Sequence, residues 1–312
     1  MLEIISALWP VFALILLGYA AKKAQFPGEG FWRQAEKATY FILFPTLLVT
    51  RLSTTDMSVV DLGAVGLTIL LMVLIASALA FLVRLFTQFD AAGFTSLYQG
   101  SVRFNVYVGL AASATLYGSL GLAVGAVVMA IMIPLLNLCC VLVFSAFTHK
   151  SGNISSILLA IIKNPLIISS LLGLLLNQTG LGFPLILEPV AELLSRMALP
   201  LGLLSVGAGL SFRVLVKSGK EIAWASIIKL GFMPLIAFAL CFVVALELES
   251  AEIIWLYAAL PTATSSYILA RQLGGDAPMM AAIITGQTLI SMISIPFMLI
   301  SLSFLQKIII NQ

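Results

Sequence analysis

The sequence predicts an all-α polytopic membrane protein with about ten membrane-spanning helices, and two observations support this class. The 312-residue chain is 61% hydrophobic and only 9% charged, whereas a soluble domain carries about 25% charged residues. The apolar runs are long and unbroken, which indicates helices, because a membrane barrel would show alternating segments of about ten residues. Lipid must therefore be the solvent for most of the apolar surface.

Charge-free stretches mark the ten predicted spans. In chain order they cover residues 4–21, 35–51, 62–83, from 91 to beyond 103, from the 117–121 turn to 148, 154–177, 188–210, 222–246, 253–272 and 277–305. We expect the first to remain as a span and not to be a signal peptide, because it lacks a basic leading segment and a small-residue cleavage site.

Lysine and arginine are distributed unequally between the predicted loops, which indicates the orientation. The opposite set of loops carries mainly aspartate and glutamate. We therefore expect a multi-pass protein of a bacterial-type inner (plasma) membrane, with both termini outside and the Lys22–Lys37 loop in the cytoplasm. The basic set consists of Lys22, Lys23, Arg33, Lys37, Arg84, Lys150, Arg213, Lys217, Lys220 and Arg271.

Three short patterns recur at one shared offset of about half the chain, which indicates an internal repeat. Trp9-Pro10 recurs as Asn164-Pro165, Leu17-Gly18 as Leu172-Gly173, and Phe44-Pro45-Thr46-Leu47 as Leu199-Pro200-Leu201-Gly202. Each half, 1–148 and 154–312, holds five spans, and this odd number requires the second half to be inverted in the membrane. Inverted repeats are typical of secondary transporters. The alternative is chance matching among helices rich in leucine and glycine.

The fourth and ninth spans carry polar clusters within apolar helices, so we predict that both are broken and cross each other. The fourth reads SLYQGSVRFNVYVGLAASATLYG and the ninth YAALPTATSSYILARQLGGD. Pro261 removes a backbone donor from the ninth, and Gly100 and Gly109 flank Arg103 in the fourth. The neighbouring hydroxyls could bind a solute or satisfy the freed backbone groups. The alternative is a pair of kinked helices with internally bonded hydroxyls.

Arg103 is the most informative charge, because it lies ~20 Å from the cytoplasmic boundary at 1.5 Å per residue. Placing arginine there costs roughly 2.5–3.5 kcal/mol. The functional interpretation is an anion site that favours a carboxylate, and the structural one is pairing with backbone carbonyls. Asn137 and Gln287 could line a cavity or join helices. The predicted substrate-binding residues are Arg103, Asn105, Tyr107, Asn137, Pro261, Thr262, Thr264, Ser265 and Gln287.

Two other charged positions have structural interpretations. Arg196 follows Glu188 and Glu192 at helical spacing, which predicts an ion-pair ladder at the outer interface. Lys229 lies about nine residues, ~14 Å, into the eighth span, and either reaches the cytoplasmic surface or faces a cavity.

Several classes of function are excluded or disfavoured by missing patterns. The sequence has no HExxH, no GxSxG and no phosphate-binding loop, so we expect neither an enzyme nor a self-contained ATP-driven pump. Cys139, Cys140 and Cys241 are interpreted as packing residues and His149 as a loop residue, so no metal or cofactor is predicted. We expect no nucleic-acid partner. Neither broken helix carries a carboxylate in mid-membrane, which disfavours a carboxylate ion site but allows sodium bound by carbonyls and hydroxyls.

The chain resembles the prokaryotic members of the auxin efflux carrier family, which includes malonate and other organic-acid permeases. The resemblance covers essentially the whole chain. It is carried by WPVFALILLGYAAKK, FPTLL, RFNVYVGLA, KNPLIISSLLGLLLN, ALPLGLLSVGAGL and LPTATSSYILARQLGGD.

This resemblance implies the fold of plant PIN auxin exporters and bile-acid sodium symporters. It implies a scaffold, 1–53 with 154–212, a transport domain, 58–148 with 219–306, elevator-type movement, and a homodimer through the scaffold helices. We therefore predict a secondary active transporter of a small organic anion, a mono- or dicarboxylate of auxin-like or malonate-like type. The alternatives are a sodium-coupled symporter of a bile-acid-type amphipathic anion and, less favoured, a channel.

Overall fold

The computed structural model describes residues 2–28, 30–55, 60–148, 159, 162–184, 186–212, 215 and 219–310. The predictions for His149, for three of the basic loop residues (Lys150, Arg213 and Lys217) and for the start of the sixth span lie outside these residues.

All regular structure in this described part is helical, as predicted. Two π-helical segments, Thr39–Leu43 and Ile227–Phe232, each join two consecutive α-helices. The helices are α1 (Leu2–Lys23), α2 (Phe31–Ala38), α3 (Phe44–Thr54), α4 (Leu62–Phe86), α5 (Ala91–Val102), α6 (Val106–Phe147), α7 (Pro165–Gln178), α8 (Glu188–Ala208), α9 (Gly219–Ser226), α10 (Met233–Val243), α11 (Leu248–Ala259), α12 (Ser266–Leu273) and α13 (Ala277–Ile310).

Six helical segments of the described chain are long and apolar enough to cross a membrane. The other predicted spans are short or interrupted, so the arrangement of ten spans in two inverted repeats remains a prediction. The six segments are Ile4–Lys23, Leu62–Phe86, Ala91–Phe147, Glu188–Ala208, Gly219–Val243 and Ala277–Ser301.

Helix α4 shows how the apolar sequence is divided between protein and lipid. Ile69 and Met72 are fully buried against other helices, whereas Leu67, Leu70 and Leu74 are exposed on the outer face. A helix that is apolar on both faces cannot be stable with one face in water. Its outer face therefore fits a lipid environment.

The long apolar segment that contains α6 turns back on itself at Gly118. This residue has φ 59° and ψ −137°, a conformation that glycine adopts without steric cost. A Cβ atom at Gly121 would collide with the carbonyl oxygen of Ser113, so the chains before and after the turn lie side by side. The turn falls within the predicted Tyr117–Gly121 segment.

Helices α1 and α8, and likewise α3 and α7, approach each other at glycines. A Cβ atom at Gly18 would collide with the backbone of Leu204, and one at Gly207 would collide with the backbone of α1. A Cβ at Gly173 would lie 3.2 Å from the carbonyl oxygen of Leu48. Small residues at such crossings are typical of helix packing in membranes. Of these four helices, α7 contributes Leu166 to the wall of the cavities at the helix breaks described below.

Helices α5 and α11 are the most enclosed elements and end at the same place. Every residue of 93–102 in α5 and of 253–259 in α11 is buried. Both helices are interrupted there and resume as α6 and α12. The fold thus places two helix breaks inside the protein.

Candidate solute site at the two helix breaks

The first break lies at Arg103–Asn105, as predicted, although this segment contains no proline. Arg103 is extended, with φ −74° and ψ 162°. The Asn105 side chain then starts α6, because its Oδ1 accepts hydrogen bonds from the N–H groups of Tyr107 at 3.0 Å and Val108 at 3.3 Å. Asparagine is among the best N-cap residues. This break therefore supplies its own cap.

The second break lies between α11 and α12, at Leu260–Ser265, and follows from Pro261. Proline has no N–H, so the carbonyl of Tyr257 loses its helical partner. Ser265 precedes α12 but makes no side-chain cap. In the described part of the chain, no hydrogen bond uses the N–H groups of Ala263, Thr264 or Ser265. The first N–H groups of α12 itself, from Ser266 to Ile268, donate to the carbonyls of residues 263–265 at 3.1–3.3 Å. The free donors therefore belong to the break that precedes α12.

The two breaks are bonded directly to each other. The N–H of Asn105 donates to the carbonyl of Pro261 at 2.8 Å, and the Thr262 hydroxyl donates to the carbonyl of Gln99 at 3.2 Å. Gln287 of α13 joins both, because its Nε2 donates to the Gly100 carbonyl and its Oε1 accepts from the Thr262 N–H, each at 2.9 Å. Gln287 therefore holds the two breaks together.

Lys229 satisfies the carbonyls that the second break frees. It lies in the π-helical segment Ile227–Phe232 and is fully buried. Its Nζ donates to the carbonyl of Ala258 at 2.8 Å and to that of Tyr257 at 3.5 Å. Within the described residues no carboxylate forms an ion pair with it. Lys229 therefore neither reaches the surface nor, among the cavities found, lines one.

Two neighbouring cavities of about 320 and 200 Å³ lie beside the breaks. They share several wall residues, including Tyr40 from the first π-helical segment and Ser265 from the second break. The larger one is also lined by Arg33, Glu36 and Lys37 of α2. Cavities of this combined size can enclose a small organic molecule.

Arg103 brings a positive charge to the smaller cavity. Its Nη2 donates to the Ser265 hydroxyl at 3.2 Å. Its Nη1 is buried and has no hydrogen-bond partner among the described residues. The guanidinium therefore lies beside the start of α12, where the free N–H groups of the preceding residues 263–265 and the helix dipole also favour negative charge.

The structure divides the predicted substrate-binding residues into two groups. Six line the cavities. The other three, Pro261, Thr262 and Gln287, do not line either cavity, since their polar groups are bonded within the crossing. The six are Arg103, Asn105, Tyr107, Asn137, Thr264 and Ser265.

Sequence reasoning missed the contribution of α2 and of Asn164. Arg33 and Lys37 were interpreted only as loop charges that set the orientation, but they line the larger cavity with Glu36. Asn164 caps α7 and lines the smaller cavity. The sequence offers two signals for them. One is the charged helical stretch of α2 next to an apolar span, and the other is the Asn164-Pro165 pair.

Cavities beside two bonded helix breaks, in an apolar chain whose described regular structure is helical, are typical of membrane transporters. Comparison with known proteins agrees. An uncharacterized transporter of Methanothermobacter thermautotrophicus is 26% identical over 295 residues, which are 92% of this chain and 94% of that relative. Residues 148–299 match the family model described as membrane transport protein. The matched segment and this relative support a membrane transport family, as the resemblance to the auxin efflux carriers implies.

Proposed function

We propose that the protein is a secondary transporter of a small organic anion, a mono- or dicarboxylate, bound at the second helix break. The observation that carries this proposal is the position of Arg103 beside the uncapped N-terminus of α12, at the wall of a cavity. A carboxylate there would accept charge-assisted hydrogen bonds from the guanidinium and bonds from backbone N–H groups.

The rest of the cavity wall suits the organic part of such an anion. Tyr107 lines the larger cavity and stacks on Phe44 of α3 with ring centroids 5.1 Å apart. Leu166 and Val106 line both cavities. A mostly apolar wall with a few convergent polar groups is typical of small-molecule sites.

The way the cavities are enclosed supports alternating access of the elevator type. One wall comes from α2, the first π-helical segment and α7, and the other from the two breaks. We propose that the scaffold, 1–53 with 154–212, holds still while the transport domain, 58–148 with 219–306, carries the bound anion. The cavities open beside the basic residues of α2, so this conformation faces the cytoplasm under the proposed orientation. A homodimer through the scaffold is part of the same proposal.

The test is equilibrium binding of malonate and of indole-3-acetate to detergent-purified protein, with thermal stability measured on the same samples. Arg103→Ala should weaken binding about ten- to a hundredfold, since a charge-assisted hydrogen bond contributes roughly 1.5–3 kcal/mol. Arg103→Lys should recover only part of the affinity, because it lacks the planar fork. The control is Arg271→Ala, which removes an exposed arginine at the far end of α12.

Unchanged affinity in a stably folded Arg103→Ala protein would exclude this site. Repeating the titration in choline and in sodium salts separates the proposal from a sodium-coupled symporter, whose affinity would rise with sodium. In proteoliposomes, saturation and counterflow would be expected of a carrier and not of a channel.

A further inference from the structure

A separate cavity of about 460 Å³ lies on the other side of the breaks, near the Gly118 turn. It is enclosed by α3, α8 and the residues of α6 around that turn. Under the proposed orientation it faces the outside. Its wall includes Leu47, Arg51, Ser119, Ser195, Arg196 and Leu199.

Two arginines in the wall of this outer cavity share the carboxylate of Glu192, which lies next to the cavity and is not one of its wall residues. Arg51 Nη2 lies 3.3 and 3.4 Å from the two carboxylate oxygens of Glu192, and Arg196 Nε lies 3.1 Å from Oε1. Of the predicted ladder, the Glu192–Arg196 pair is thus formed. These distances exceed the 2.7–2.9 Å of strong charge-assisted bonds. Arg51 Nε is buried and has no partner in the described part of the chain, so the arginine has an unused donor.

The outer cavity corresponds to the inner ones through the repeat. At the offset shared by the three recurring sequence patterns, Tyr40 and Phe41 of the inner wall match Ser195 and Arg196 of the outer wall. Equivalent positions in two inverted halves lie on opposite faces of a membrane. The outer cavity is therefore located where an inverted repeat would place the alternate opening.

We infer that the outer cavity is a second binding site for a small carboxylate, in which the Glu192 side chain occupies the position of the anion. An incoming carboxylate would displace Glu192 and take over its bonds to Arg51 and Arg196. This inference rests on the proposed function for the identity of the anion. While the site is empty, the Glu192 carboxylate keeps the two arginines paired. When an anion binds, its carboxylate replaces that of Glu192.

The experiment measures equilibrium binding of radiolabelled malonate at constant ionic strength, in an Arg103→Ala background that disables the inner site. Glu192→Gln should raise the affinity of the remaining site about three- to tenfold, because malonate no longer has to break one half-buried and one exposed ion pair. Arg51→Gln should abolish the remaining binding. Glu188→Gln, an exposed carboxylate one turn earlier in α8, should change nothing. If Arg103→Ala does not fold, Arg103→Gln, which removes the charge but keeps a long polar side chain, serves as the background.

The inference is overturned if Glu192→Gln and Glu188→Gln behave alike, or if malonate binding survives Arg51→Gln. Absence of malonate binding to both Arg103→Ala and Arg103→Ala with Glu192→Gln would also overturn it, while leaving the inner site intact. Conversely, if malonate affinity is unchanged by Arg103→Ala but changes with Glu192→Gln, the result would exclude the inner site and support the outer one.

Discussion

At the first break, side chains bind backbone groups of both helix ends. At the second break, a distant lysine binds the carbonyls of the first helix end, and no side chain caps the helix that follows. Asn105 caps the helix that follows the first break, and Gln287 binds the Gly100 carbonyl before it. At the second break Lys229 binds the carbonyls before the proline, but no side chain caps α12. The free backbone donors next to the proposed anion site therefore lie at the second break.

This difference teaches that equivalent positions in a predicted repeat need not share a role. With a small drift in the offset of the predicted repeat, Asn105 falls opposite Thr262, yet one caps a helix and the other joins the breaks. Both side chains that hold the carbonyl ends, Gln287 and Lys229, come from the second half of the chain. Three predictions, taken from the largest expected effect to the smallest, test this comparison.

Lys229→Met should have the largest effect on stability, lowering the free energy of unfolding by about 3 kcal/mol, because it leaves two buried carbonyls without their charged donor. Thermal unfolding in detergent measures it, with the exposed Lys220→Met on α9 as control. A gain in stability would mean that the cost of burying the ammonium exceeds the value of its two bonds.

Gln287→Leu should lower stability by about 2 kcal/mol, since a buried carbonyl and a buried N–H lose neutral hydrogen bonds. The exposed Gln272→Leu is the matched control. Malonate affinity per folded molecule should change little, because Gln287 does not line the cavity. If instead affinity falls while stability is kept, Gln287 belongs to the binding site.

Asn105→Ala and Ser265→Ala compare the two helix starts. Asn105→Ala removes a cap and should cost about 1 kcal/mol of stability. Ser265→Ala removes no cap, so its stability should stay within about 0.5 kcal/mol. Ser265→Ala should still alter malonate affinity, since Arg103 loses its hydroxyl partner. Equal stability losses in the two variants would refute the asymmetry.

The sequence was sufficient for the helical class, for both breaks and for the turn at Gly118. Proline, glycine and a polar cluster act on the local backbone, so their effects can be read from neighbouring residues. The partners of Lys229 could not be predicted from the sequence, because the carbonyls that it binds lie almost thirty residues away and are freed only by Pro261. The position of Arg33 and Lys37 in the cavity wall could not be predicted either, because it depends on how α2 packs against the breaks.

The glycine contact between α1 and α8 has a consequence for the order in which the protein is made. Gly18 meets the backbone of Leu204, and neither helix can complete this contact until both are present. With roughly 190 residues between them and synthesis at about 5–20 residues per second, α1 waits about 10–40 s for its partner. During that interval the glycine face of α1 lacks its partner helix and is open to lipid or to assisting proteins.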